Sequence, residues 1–310
     1  MLNIQIEFNQ ELKKSYVELL CSTKFGNGKD AKTVKEKFEE HKTLFRDYSF
    51  EDIIFIESEK INDLIEELEI KNPKKDELEK LFKYDGKFQP LIATFFEKNL
   101  NPRTCYYCNI DFINVYDKEN NKNKFTLDHF IDKGRYPYLA LSIFNLIPCC
   151  FVCNSKKIKG SIEFYDNPKL KNTNPYLKSF QFDKKVKFKL FLHKNCKDLN
   201  IKSKDDIEIP LKENYSNEYD KYIEVFKLNE RYSAHKDIVF EMIQKAELYP
   251  ESRLKELQDL TGIPYQKIKK DIFNLIDDEV DLSKEPFSKL KKDMAVELGL
   301  TYSRDYKGIK

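Results

Sequence analysis

The sequence predicts a fold that is mainly α, α+β overall, with one short central segment built around bound metal. Three observations predict it. Apolar residues recur at helical spacing from Glu11 to about Leu100, and again from about Asn214 onward. Residues 103–165 break that rhythm and hold five of the seven cysteines. Four of those five form two Cys-x-x-Cys pairs. The expected organisation is a helical region over 1–102, a compact core over 103–165, a basic β-like extension over 166–212 and a helical region over 213–310.

In chain order, Leu2, Ile4, Ile6 and Phe8 alternate with polar residues, which predicts a first strand. Tyr16, Leu19 and Leu20, then Ile61, Leu64, Ile65 and Leu68, are spaced as helix faces, and three to five helices are expected before Asn101-Pro102. Asn27-Gly28 and Asn72-Pro73 predict turns. The runs FINVY and FTLDHF read as strands around a polar loop at 117–124. FQFDKKVKFKLFL, within 175–193, alternates as a strand or hairpin does. Tyr222, Val225, Phe226 and Leu228, then Val239, Ile243, Leu254, Leu257 and Leu260, restore the helical spacing, and Thr261-Gly262-Ile263-Pro264 breaks it.

Composition excludes some classes. With 40% hydrophobic and 35% charged residues the chain is globular rather than disordered. No run of 18 apolar residues exists, so no membrane span is expected. The start, MLNIQIEFNQELKK, lacks a signal-peptide pattern, and a cytoplasmic location is expected. Net charge is only +2, but its distribution is uneven. Residues 1–104 carry 18 Lys/Arg against 21 Asp/Glu, whereas residues 154–204 carry 14 lysines against 4 acids. A basic segment beside a dense motif is the footprint of a polyanion partner, and a solvated lysine face is the plainer alternative.

Cys105-Tyr-Tyr-Cys108 and Cys150-Phe-Val-Cys153 are separated by 41 residues. Each pair can turn two thiolates toward one ion, and four thiolates make a closed structural Zn²⁺ site. Four cysteines packed as small hydrophobes are the alternative. Cys149 is out of register and reads as a packed thiol, and Cys21 and Cys196 have no sequence partners.

Between the pairs lies Leu127-Asp128-His129-Phe130, followed by Asn145 and, directly after Cys153, by Asn154. Asp128 and Asn154 offer hard oxygens suited to Mg²⁺ or Mn²⁺. His129 can take a proton from water near neutral pH, and a carbonyl on its other ring nitrogen would fix its tautomer. Lys156 or Lys157, at the start of an expected helix, can hold a phosphate oxygen.

The window DHF-x2-K-x2-YP-x2-A-x-S-x-FNLIPCC-x2-CN-x2-K resembles the HNH endonuclease family and its ββα-metal finger. The resemblance covers about residues 103–165, a fifth of the chain. It implies Asp128 as a metal ligand, His129 as general base, Asn145 as the residue that orients the loop and the base, Lys157 beside them, and Asn154 as the second ligand of a catalytic Mg²⁺ or Mn²⁺. Asn stands at Asn154, where the family has His or Asn. The extended motif also resembles stand-alone HNH proteins of phage defence, closest to the nuclease subunit of Septu-type systems. That implies DNA as substrate, with RNA second, and an ATPase partner docked on the helical flanks.

Lys156, Lys159, Lys184, Lys185 and Lys187, with Tyr136 and Tyr138, are then candidates for contacts to the nucleic-acid backbone, which position rather than read sequence. The tyrosines equally suit a local core. A zinc-braced binding or docking module that never cuts is the alternative to the nuclease.

Overall fold

A computed structural model describes residues 1–301 apart from 26–30, 69–73, 83, 85–87, 118–121, 124, 161, 195, 197–199, 215 and 278–279. The turns expected at Asn27-Gly28 and Asn72-Pro73 lie outside the described residues. Its contacts divide the chain into two compact units, Met1–Gln181 and Phe182–Lys310. The helical region, the cysteine segment and the start of the basic extension therefore share the first unit, and the boundary falls inside 166–212.

Among the described residues of 1–102 there are six α-helices: α1 (Gln10–Cys21), α2 (Val34–Glu40), α3 (Phe50–Ile54), α4 (Ile61–Leu68), α5 (Lys74–Leu81) and α6 (Phe88–Asn99). The expected three to five are exceeded because polar caps start new helices. Thr33 with Glu36, and Ser49 with Asp52, form reciprocal capping boxes at α2 and α3. A short antiparallel pair, β1 (Lys24–Phe25) with β2 (Lys32–Thr33), precedes α2. Asn101, at φ 48°, ends the region in the left-handed conformation that asparagine tolerates.

These helices build a core rich in phenylalanine. Phe38 stacks on Phe45 at 4.4 Å, and Phe50 and Phe82 meet Phe38 edge-on. The same core receives the cysteine segment. Tyr138 is buried against Phe45. The Tyr16 hydroxyl donates to the Leu141 carbonyl at 3.1 Å, and the Ser142 hydroxyl to that of Ile53 at 2.6 Å.

Residues 2–8 form no strand. Their alternating burial is real, with Leu2 and Ile4 inside. Their backbone is shared between two segments, however: Leu2 N–H donates to Tyr106 O and Ile4 N–H to Pro175 O. A strand needs one continuous partner, and here there are two.

The cysteine segment holds β3 (Val115–Asp117), β4 (Lys122–Asn123), β5 (Thr126–His129) and β6 (Leu146–Cys149). β3 pairs with β4, and β5 pairs antiparallel with β6 in the register Thr126–Cys149, Leu127–Pro148, Asp128–Ile147 and His129–Leu146. The helix expected after Cys153 is absent. Residues 151–160 are a run of turns. Their backbone closes back on the second cysteine pair, Asn154 N–H to Cys150 O and Lys159 N–H to Cys153 O. Gly160, at φ +50°, ends the run, and a Cβ there would sit 2.9 Å from Lys156 O. Among the described residues two strands and a turn run stand where a ββα finger would have two strands and a helix.

In the second unit, α7 (Phe182–Lys185) leads into β7 (Val186–Phe188) and β8 (Phe191–Leu192). The partners are not within 175–193. β7 pairs with β10 (Leu211–Glu213) and β8 with β9 (Ile207–Glu208), so the alternating stretch is one arm of a longer bent hairpin. Helices α8 (Asp220–Val225), α9 (Leu228–Ser233), α10 (Lys236–Leu248), α11 (Glu251–Thr261), α12 (Tyr265–Phe273) and α13 (Ser288–Glu297) complete it. Gly262, at φ 69°, makes the break between α11 and α12. Lys289 of α13 is fully buried, with its ammonium 2.8 Å from Asp293 and 3.1 Å from Asp183.

Candidate functional site

The four cysteines come together. Cys105, Cys108, Cys150 and Cys153 are buried, and their sulfurs lie within 4.8 Å of one another. Cys108 and Cys150 sulfurs are 3.9 Å apart. A tetrahedron with Zn–S bonds of about 2.3 Å spaces sulfurs by roughly 3.8 Å, so the donor set fits zinc. The first turn closes through Asn109 at φ 53°, whose N–H donates to Cys105 O. In the second, the Cys153 N–H points at Cys150 Sγ at 3.4 Å. Burial pushes the Cys105 and Cys153 thiols up, a penalty that a divalent cation reverses by binding thiolate. The cluster can hold a metal ion such as zinc. Cys149, also buried, lies outside it against the Thr126 hydroxyl.

β5 carries the Asp-His pair beside this cage. His129 ends the strand, 8% exposed. Its Nε2 lies 3.0 Å from Ala140 O. A carbonyl only accepts, so Nε2 carries the proton and Nδ1 is the basic nitrogen of the neutral ring. The Tyr84 ring meets the imidazole edge-on at 4.5 Å.

Asn145 holds the loop that supplies this carbonyl. It is fully buried at the end of the 3-10 turn Ile143–Asn145. Its Oδ1 accepts from Ile131 N–H at 2.7 Å, and its Nδ2 donates to Ile131 O at 3.0 Å and Leu139 O at 3.2 Å. Phe130 N–H donates to its backbone carbonyl. One side chain thus ties the residues after His129 to the residues before Ala140.

Asp128 is 4% exposed, and both its oxygens are engaged. Oδ2 accepts from the Tyr107 hydroxyl at 2.6 Å, and the Lys159 ammonium lies 3.1 Å from each oxygen. Burial pushes the carboxyl upward from its usual range, while Lys159 and the Tyr107 hydroxyl pull it back. Asn154, partly buried, donates through Nδ2 to the Thr126 hydroxyl at 2.9 Å. That leaves its carbonyl oxygen as the group a cation would use. As arranged, the described side chains do not offer a divalent ion the carboxylate that the HNH resemblance assigns to it.

The candidate lysines scatter. Lys156 and Lys157 are exposed on the turns after Cys153. Lys159 differs from the expected surface contact: its side chain is inside, on Asp128. In the second unit Lys184 is exposed, Lys185 pairs with Glu218, and Lys187 lies 3.6 Å from Asp293. Those last two are engaged with acids of their own unit and are not free basic face. Tyr138 is core, and Tyr136 packs half-buried on Tyr165 at 5.4 Å.

Tyr107 and Ala140 carry no role in the sequence pattern, and Lys159 lies inside where a surface contact is expected. Tyr107 had a usable signal, since it lies inside a Cys-x-x-Cys pair whose fixed turn must aim it somewhere. No family model, curated protein or solved structure matches the chain.

Proposed function

We propose that the chain is an HNH-type endonuclease that hydrolyses phosphodiester bonds in DNA, with His129 as general base and dependence on Mg²⁺ or Mn²⁺. The observation that supports this best is the His129 imidazole held by a backbone carbonyl through Nε2, which leaves Nδ1 as the basic nitrogen of the ring. His129 takes a proton from water, the hydroxide attacks phosphorus as the bond to the leaving sugar oxygen breaks, and that oxygen takes a proton from solvent; Asn145 keeps the ring and its carbonyl partner in one geometry. Lys156 and Lys157, both exposed, would hold non-bridging phosphate oxygens. A divalent ion, when bound, would stabilise the leaving oxygen; Lys159 and Tyr107 already engage Asp128.

By resemblance, the biological setting is a bacterial anti-phage system in which the nuclease works beside an ATPase subunit. The second reading is a zinc-braced nucleic-acid-binding or docking module that does not cut. The neutralised Asp128 carboxylate favours it. Supercoiled plasmid incubated with the purified chain, in Mg²⁺ or Mn²⁺ against EDTA and beside His129→Ala, separates the two. Metal-dependent nicking lost in the variant supports the nuclease. Plasmid retained on the protein but uncut in every metal, with and without the ATPase partner, supports the module.

A further inference from the structure

The geometry points to Lys159 as a built-in cation that takes the place of a divalent ion at Asp128 and positions His129. Lys159 is 4% exposed, and its ammonium has three neighbours from two parts of the chain. It lies 3.1 Å from each Asp128 oxygen, donates to the His129 carbonyl at 2.8 Å, and sits 5.1 Å from the centre of the Phe164 ring. Carboxylate, carbonyl and aromatic face are the groups that stabilise a desolvated ammonium. This is a built site for lysine, not a surface chain that happens to reach an acid.

Two consequences follow from charge. Asp128 is neutralised by a single positive charge already inside the protein. A divalent ion on either oxygen would sit at about 2.0–2.1 Å from it, and so within a few ångströms of the ammonium. Like charges at that distance in a buried site repel strongly. Asp128 is therefore the partner of Lys159, and any divalent ion of the reaction is held elsewhere.

The bond from Lys159 to His129 O gives the lysine a second effect. His129 is the last residue of β5, so its carbonyl and its imidazole are carried by the same Cα. Fixing the carbonyl from one side, while Ala140 O fixes the ring from the other, sets the direction of Nδ1. Lys159 is itself anchored, because its N–H bonds Cys153 O within the second cysteine turn. The ion-pair half of this inference stands without the nuclease reading, and the positioning half rests on it.

The test uses the zinc-loaded full chain as wild type, Asp128→Asn, Lys159→Met and the double variant, in three measurements. In urea unfolding each single variant is expected to lose stability and the double variant to regain at least about half of the loss, the signature of a coupled pair. In calorimetric Mn²⁺ titration Asp128→Asn is expected to bind within about twofold of wild type, because the ion does not use that carboxylate. In plasmid nicking Lys159→Met is expected to lower kcat about tenfold or more with KM unchanged, and the double variant to stay slow although its stability returns. A purely structural lysine would recover both together.

Mn²⁺ affinity lost tenfold or more in Asp128→Asn would put the ion on Asp128 in the wild type and overturn the inference. So would a double variant no more stable than the worse single one. If wild type neither nicks nor binds Mn²⁺, the proposed function falls, while the unfolding cycle still decides the pair.

Discussion

Asn145 clasps Ile131 with two bonds, accepting from its N–H at 2.7 Å and donating to its carbonyl at 3.0 Å. The clasp is buried, so removing it strands a backbone donor away from water. Asn145→Ala is expected to cost about 2–4 kcal/mol, from the stranded donor and the lost side-chain bonds. Chemical denaturation of the full chain measures this. A loss under about 0.5 kcal/mol would mean that the loop holds itself without the clasp.

His129→Ala removes the proposed base but none of the clasp. Nicking is expected to fall at least about 100-fold, with plasmid affinity within a few-fold of wild type. Equal nicking rates in the two proteins would dismiss His129 as the base. Filter binding beside the cleavage gel gives both quantities from the same preparation.

The adjacent Cys149 and Cys150 provide an internal control for the metal cage. Cys150→Ser is expected to lower bound zinc from about one ion per chain to well below it, with loss of thermal stability. Cys149→Ser is expected to keep the zinc, because its sulfur packs on Thr126 rather than in the cluster. Elemental analysis of the two purified variants decides the register, and zinc loss in both would place Cys149 in the cage.

The second unit should respond to acid through Asp183. Burial alone would raise its pKa, but the ammoniums of Lys289, Lys187 and Lys292 outweigh it and hold the carboxyl at about 2. A folded pKa below the unfolded value of 3.8 means the carboxylate stabilises the fold above about pH 4. That contribution is lost as pH falls toward 2 and amounts to at most about 2 kcal/mol. Asp183→Asn should therefore flatten the stability profile between pH 4 and 2 and leave its slope at neutral pH unchanged. An unaltered acid limb would remove Asp183 from the account.

Lys289, fully buried in that cluster, is expected to be far more sensitive than any surface lysine. Lys289→Met leaves Asp183 and Asp293 without their central cation and should cost about 3–5 kcal/mol. Lys184→Met, on the same unit but exposed, should change stability by less than about 0.5 kcal/mol. Similar losses in both would indicate that the cluster is not a working network.

What could be read in advance was local chemistry. The cysteine pairs were legible because a two-residue gap permits only a tight turn, and the Asp-His strand because alternation runs into it. Helix existence was legible from spacing, but helix number was not, since capping boxes at Thr33 and Ser49 cut one periodic stretch into several. The failures are long-range. Lys159 looked like part of a basic tail because its partner, Asp128, lies 31 residues away. Residues 2–8 had the right alternation for a strand, but alternation reports burial and not how many segments supply hydrogen bonds. The segment after Cys153 carried a helix-compatible sequence, yet Lys159 N–H reaches back to Cys153 O and Gly160 N–H to Ser155 O, so a continuous i→i−4 ladder does not form.

The extended stretch at residues 2–4 limits how the molecule can be trimmed. Leu2 and Ile4 reach across to Tyr106 and Pro175, so a short piece near the start of the chain staples the first cysteine turn to a loop beyond the cysteine segment. A minimal fragment cut at 103–165 would leave both staples behind, along with the Tyr16 hydroxyl that caps Leu141 O and the Ile53 carbonyl that receives Ser142. Grafting the motif alone onto another scaffold would transplant its ligands without the packing that aims them.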